Sequence, residues 1–409
     1  MNRGRGVHWA IPVVAGAVLI GILVTAGLLG LRGSEKAPDG AAPVVTPATP
    51  HGTPQRTGLV ARLPLGQYGT FSWAPDGQHL LVSSYPLVSG EPASRVYDRF
   101  GNVVSSFGQF EGWLDATHLI SGDGHVAGID EPYTGGATSN ARVVAGGHGS
   151  AALIVAQPAC IGDPILDWYK NGQYVKVGEK ATPFGWSPDG KLLLLGQMSC
   201  SEQEAQLHGW KGPVDVVDFA SGRVVATAPA VRGAMAFNPS GTRLAAESDK
   251  DLEIVDFAAG QVKTVRNARL LGWSGDDSVH CLASAGSVAL VGATADMPDF
   301  SGVVENWSIA SPAGPVLGVD KAGLPLRIWA ADGKTTLLDL SVTSLVARPD
   351  LALVASADQP TYSALLHSPW SSDGRMLALE SRDGTSVALF AVTDLPGSIA
   401  GALPTPRAP

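Results

Sequence analysis

The chain has 409 residues, with 28 Lys and Arg against 37 Asp and Glu and a formal net charge of −9. Hydrophobic residues make up 45% and charged residues 16%, which excludes wholesale disorder. Setting aside Arg3, Arg5 and Arg32 leaves 25 basic residues against 37 acidic ones, without Lys/Arg clusters. Attachment to a phosphate backbone depends on bound cations, so nucleic acid is excluded as a partner.

From Trp9 to Leu31 runs a stretch of 23 residues without a charge. As a helix it spans roughly 34 Å, enough to cross a hydrocarbon core of about 30 Å. Pro12 falls in the first turn, where its missing N–H costs least. Arg3 and Arg5 precede the stretch, so residues 1–8 are expected in the cytoplasm and everything after Arg32 outside, in a single-pass arrangement at the cell membrane. A cleaved signal peptide is the rival, with Val24-Thr25-Ala26 as the small-residue site, but the apolar run is longer than a usual h-region and favours an uncleaved anchor. Residues 32–58 carry Pro38, Pro43, Pro47, Pro50 and Pro54 among Ala, Gly and Thr, the composition of a semi-rigid spacer.

Residues 59–396 are built on an internal repeat. Trp73-Ala-Pro-Asp-Gly77 leads to Leu80, Trp186-Ser-Pro-Asp-Gly190 to Leu193, Phe237-Asn-Pro-Ser-Gly241 to Leu244, and Trp370-Ser-Ser-Asp-Gly374 to Leu377. Trp113-Leu-Asp-Ala and Trp273-Ser-Gly-Asp-Asp277 are the same unit shortened by one residue. The unit is a β-hairpin: an aromatic ends one strand, Pro presets φ, Asp or Ser bonds the local backbone, and Gly takes positive φ. A second half-motif, Val96-Tyr-Asp-Arg-Phe-Gly101, Val216-Val-Asp-Phe-Ala-Ser-Gly222, Ile254-Val-Asp-Phe-Ala-Ala-Gly260 and Ile328-Trp-Ala-Ala-Asp-Gly333, turns a third strand into a fourth.

Four strands per unit at intervals near forty residues predict an all-β fold, a β-propeller of seven or eight four-stranded blades preceded by one transmembrane helix. The interval from 113 to 186 holds a degenerate blade around Ala151 to Gly178, and that from 273 to 370 holds another around Leu326 to Leu340. The last unit ends after its third strand, Ser386 to Val392, so Val60 to Leu65 is expected to pair there and close the ring. Residues 397–409 form an irregular tail.

The aromatic-Ser-Pro-Asp-Gly turns resemble those of the WD40-like propellers of the TolB type, over roughly residues 59 to 394. That resemblance implies a fold and not an activity, since such propellers include binding modules, peptidase domains and proteins of unassigned role. The Ala/Gly/Val-rich anchor and linker look like those of actinobacterial exported proteins.

No catalytic or cofactor constellation accompanies the fold. There is no Gly-x-Ser-x-Gly elbow, Gly147-His-Gly-Ser150 reads as an inter-strand loop, and no His or Cys pair has metal-ligand spacing. His79, His118 and His280 fall near the start of second strands, and the Asp residues of Ser274-Gly-Asp-Asp277 read as turn formers. Cys160 and Cys200 lie in loops after the second strands of neighbouring blades, where a disulfide is permitted outside the cytoplasm, whereas Cys281 reads as a buried thiol. Ser199 to Gly212 and Asp296 to Trp307 read as long loops carrying Trp210, Phe300 and Trp307, which either anchor a partner or pack back on the blade. The expected function is a membrane-anchored, extracytoplasmic binding or scaffold module for a protein, peptide or glycan. The alternatives are a lyase or hydrolase with carboxylates gathered in the central channel, and a sensor relaying its state through a second membrane protein.

Overall fold

A computed structural model describes residues 56–66, 69–84, 93–108, 110, 112–121, 124–131, 141–146, 148–155, 165–170, 173–179, 181–197, 212–283, 287–294, 300–304, 306–347, 364–365 and 368–398. The expected membrane segment 9–31 and spacer 32–55 lie outside the described residues, and among those described no helix is long and apolar enough to cross a membrane. Every regular element described is a strand, and the strands form eight sheets.

Seven of the sheets follow chain order. Blade 1 holds β1's successors β2 (Thr70–Trp73), β3 (His79–Ser83), β4 (Ser94–Asp98) and β5 (Val103–Phe107), where β1 is Gly58–Pro64. Blade 2 holds β6 (Gly112–Trp113), β7 (His118–Ile120) and β8 (Val126–Gly128), and blade 3 holds β9 (Ala141–Ala145), β10 (Ser150–Val155), β11 (Ile165–Lys170) and β12 (Gln173–Glu179). Blade 4 comprises β13 (Ala181–Trp186), β14 (Leu192–Gln197), β15 (Gly212–Asp218) and β16 (Val224–Val231). Blade 5 comprises β17 (Ala234–Phe237), β18 (Arg243–Glu247), β19 (Leu252–Asp256) and β20 (Gln261–Val265). Blade 6 has β21 (Ala268–Trp273), β22 (Ser278–Ala283), β23 (Val288–Gly292) and β24 (Phe300–Val304). Blade 7 has β25 (Asn306–Ala310), β26 (Val316–Asp320), β27 (Pro325–Trp329) and β28 (Thr336–Asp339).

The eighth sheet closes the ring. It consists of β29 (Leu345–Val346), β31 (Met376–Ser381), β32 (Ser386–Ala391) and, as its outer strand, β1. β1 pairs antiparallel with β32 from Gly58 opposite Ala391 to Pro64 opposite Ser386, and the Thr57 hydroxyl donates to the Thr393 carbonyl at 2.8 Å. The pairing of β1 with the last unit expected from the sequence is therefore the one observed, and the described residues form eight sheets.

First strands of neighbouring blades pack on one another, β2 on β6, β6 on β9, β9 on β13, β17 on β21 and β21 on β25, so they line the axis. Buried apolar clusters fill the seams between blades. Leu81, Phe107, Trp113 and Leu119 join blades 1 and 2, and Leu63, Leu80, Val387 and Leu389 join blades 8 and 1. Val216 and Leu244 join blades 4 and 5, Ile254 and Leu270 blades 5 and 6, and Leu271, Leu317 and Leu377 blades 6, 7 and 8. With the first blade packed on the last, the sheets form a β-propeller.

The repeat's aromatic has a second duty at these seams. The indole N–H of Trp73 donates to the Pro369 carbonyl (3.2 Å), Trp113 to Ser72 (3.0 Å), Trp186 to Val144 (2.9 Å), Trp273 to Ala236 (2.9 Å) and Trp370 to Ile309 (3.1 Å). Each acceptor lies on the first strand of the preceding blade, one residue before the position equivalent to the aromatic itself. In blades 3, 5 and 7 the aromatic's position holds Ala145, Phe237 and Ala310, none of which has an indole to offer. Five of eight seams are thus bridged by the same side-chain-to-backbone bond.

Candidate functional site

Antiparallel order places first-to-second and third-to-fourth connections at one end of each blade and the remaining connections at the other. The two ends differ in construction. At the first, the turn face, Gly77, Gly190, Gly241 and Gly374 all have φ between 68° and 70°, and each donates its N–H to the carbonyl three residues back. Asp76 accepts from the Gln78 amide at 2.9 Å, so the Pro-Asp-Gly chemistry is that of turns, as the sequence indicates.

These turns also lean on one another around the ring. A Cβ on Gly77 would meet Ser371, Ser372 and Asp373 of the neighbouring turn, and the Ser311 hydroxyl donates to the Gly374 carbonyl at 2.7 Å. Arg99 pairs with Asp373 across the blade 1 and 8 seam. Burial pushes the Asp373 carboxyl upward, but hydrogen bonds from Ser371, the Arg375 amide and Arg99 together hold it below the ordinary carboxylate range. Arg243 of blade 5 reaches Asp256 (2.7 Å) within its own sheet and Asp277 (2.9 Å) on blade 6, while Asp276 accepts from the Ser240 amide at 2.8 Å. The Asp276-Asp277 pair, a turn former by sequence, is also a seam contact. Hydrogen bonds from the Ala259 amide and Arg243 keep Asp256 below its usual range.

The opposite, loop face is lopsided. Between second and third strands, blades 5 to 8 use four residues each, 248–251, 284–287, 321–324 and 382–385. Blade 1 uses ten (84–93), blade 3 nine (156–164) and blade 4 fourteen (198–211). Cys160 falls in the blade 3 connection, and Cys200 and Trp210 in that of blade 4; all three lie outside the described residues. Their flanking strands put both connections at the same end of adjacent blades.

The second loop expected from sequence, Asp296 to Trp307, is corrected. Phe300 opens β24, the outer strand of blade 6, with its side chain outside the described residues, and Trp307 lies on β25. Trp307 is 2% exposed and donates its indole N–H to the Asp320 carbonyl at 2.8 Å. The blade's core claims it, so it packs inward and presents no surface to a partner. The alternation Asn306-Trp307-Ser308-Ile309 is a strand pattern that the preceding Asp, Met and Pro obscured.

Among the described residues, the first strands carry no Asp or Glu; their only charged residues are Arg142 and Arg269. No three described His, Cys, Asp or Glu side chains are grouped to hold a metal. Gly147-His-Gly-Ser150 connects β9 to β10, as read from sequence, and Cys281 is buried in β22. His118 pairs with Asp115 in its own turn at 3.0 Å. His280 is buried at the seam of blades 6 and 7, its Nε2 at 3.4 Å from the Ser308 hydroxyl and its Nδ1 without a partner, and burial lowers its pKa to about 4.

One element has no counterpart in the repeat. The first strand of blade 8 is split into β29, which pairs with Glu380 and Ser381, and Trp370, which bridges to Leu377. Between them lies β30 (Ala364–Leu365), which pairs in parallel with Ala234 and Met235 of β17 and also packs on β13.

No protein-family model matches this chain, and no curated protein does. Solved structures similar to it include the crystal structure of the mitotic checkpoint complex, at 16% identity over 85% of this chain and 98% of that chain, with a TM-score of 0.42. Another is the crystal structure of the WD40 β-propeller domain of Doa1, at 13% identity over 83% of this chain and 97% of that one, with a TM-score of 0.40. The propeller assignment stands on the chain's own strand order and closure.

Proposed function

We propose that the protein is a membrane-tethered, extracytoplasmic binding or scaffold module of the TolB-like propeller type, which recognises a protein, peptide or glycan through the loop face of blades 1, 3 and 4. The observation that carries this reading is the inequality of the second-to-third connections, four residues in blades 5 to 8 against nine to fourteen in blades 1, 3 and 4. A rigid ring that lengthens loops on one sector of one face is building a recognition surface there. Cys160 and Cys200, in adjacent connections of that sector, would form a disulfide that fixes the two loops together, and Trp210 would supply an aromatic anchor. The channel-centred lyase or hydrolase lacks its carboxylates on the described first strands.

The end at which the chain enters the ring is set by β1. β1 begins at Gly58 beside Ala391, at the turn face, so residues N-terminal to the ring join it opposite the long loops.

The test is replacement of 199–211 by a four-residue turn, with an equal-length exchange of 382–385 as control. Photo-crosslinkers placed on the loop face of the intact, membrane-inserted chain should yield an adduct that the control keeps and the shortened loop loses. Adducts unchanged by shortening, or protease added outside intact cells failing to reach the ring, would overturn the reading.

A further inference from the structure

We propose that β30 is a cross-channel strap: it ties blade 8 to the inner seam of blades 4 and 5 and takes the place of the indole bridge missing there. Three observations converge. The seam between blades 4 and 5 lacks the bridge because the repeat's aromatic in blade 5 is Phe237, which has no N–H to donate. β30 docks at that seam, paired to β17 through Ala364 opposite Ala234 and Leu365 opposite Met235, and packed on β13 of blade 4.

The third observation is reach. Four peptide steps after Leu365 the chain is at Pro369, whose carbonyl accepts both the Trp73 indole N–H of blade 1 (3.2 Å) and the Ala378 amide of blade 8 (3.0 Å). Four residues extend at most about 14 Å. The inner edge of blade 5 at Leu365 and the junction of blades 8 and 1 at Pro369 are therefore no farther apart than that short span, although their blades stand three places apart around the ring.

Two consequences follow from the pairing. The inner edge of β17 is occupied and offers no free backbone to an extended ligand. The ring also gains a second closure, through the channel, in addition to the outer one made by β1 and β32.

Hydrogen exchange on the full-length chain tests this directly. The amides of Ala364 and Leu365 should exchange at rates of the inner strands and not of free chain, and Leu365→Pro, which removes an amide from β30, should speed exchange in Ala234–Phe237 by about tenfold or more while leaving β21 unchanged. Phe237→Trp, which restores an indole at the bare seam, should return β17 protection in the Leu365→Pro background. Exchange of Ala364 and Leu365 at free-chain rates in the unmodified protein overturns the proposal, and so does β17 protection that Leu365→Pro leaves within about twofold. The measurement on the unmodified chain stands even where Leu365→Pro does not fold. Neither readout involves a loop-face partner, so failure of the strap and failure of the proposed binding function are separate results.

Discussion

Replacing Trp273 with Phe keeps an aromatic at the seam of blades 5 and 6 and removes one atom group, the indole N–H that reaches the Ala236 carbonyl at 2.9 Å. The bond is buried, among Ala234, Ala236, Leu270 and Val279, with Trp273 itself 8% exposed. The carbonyl keeps its ladder partner Ala245, so loss of the indole bond costs about 1 kcal/mol. The smaller ring also withdraws roughly 40 Å² of apolar contact, about 1 kcal/mol. Together the loss is about 2 kcal/mol, a drop of about 3 °C in the melting temperature of a ring this size. Trp73 makes the equivalent bond to Pro369 at 3.2 Å in a partly exposed setting, so Trp73→Phe should cost about 1 kcal/mol. Denaturant unfolding of the two variants reads the difference. Equal losses, or a loss at Trp273 below about 0.5 kcal/mol, would refute the view that the repeated Trp is a seam bridge as well as a packing residue.

Two further outcomes follow from the same geometry. Gly374 and Gly222 both have φ of +69°, yet an added Cβ would overlap Ser311 and Ala313 at Gly374 and meet nothing within 4 Å at Gly222. Gly222→Ala should therefore cost about 1 kcal/mol for conformation alone, and Gly374→Ala clearly more, seen as separated midpoints in denaturant. His280 is held neutral by burial, with a folded pKa of about 4 against an ordinary 6.5. The unfolded chain binds its proton first, so stability falls as pH drops from 6.5 toward 4, by about 3 kcal/mol at the lower end. His280→Gln should flatten that slope; an unaltered slope places the acid sensitivity elsewhere.

The blades with a Trp or Phe before their turn were legible in the sequence because the aromatic, Pro, Asp and Gly each answer a local demand of the hairpin. Blades 3 and 7 were legible only as degenerate units, since Ala145 and Ala310 stand where the aromatic would be and their hairpins lack the Pro-Asp-Gly core. The pairing of β1 with β32 could be read because the last unit shows three strands of the repeat and Val60 to Leu65 precedes the first aromatic turn. Trp307 was harder: its neighbours Asp296, Met297, Pro298 and Asp299 carry loop character up to the edge of β24, and burial depends on what faces the strand across the seam. β30 left no local sign at all, because its partner is set by tertiary placement and not by periodicity. The indole bridges were hidden for the same reason; repetition marks the Trp as structural but does not say which blade its N–H meets.

The antiparallel seat of β1 on β32 has a mechanical consequence. Hydrogen bonds in such a pair run across the strands, and Gly58 is at the turn-face end while the rest of the ring extends toward the loop face. A pull on the N-terminal side, opposed by a grip on the loops, acts along β1 and not outward from it. The six paired positions from Gly58 to Pro64 then bear load at once, in shear, where an outward pull would part them one after another. The strand that completes the last sheet is thereby oriented to resist force applied between its N-terminal end and the loop face.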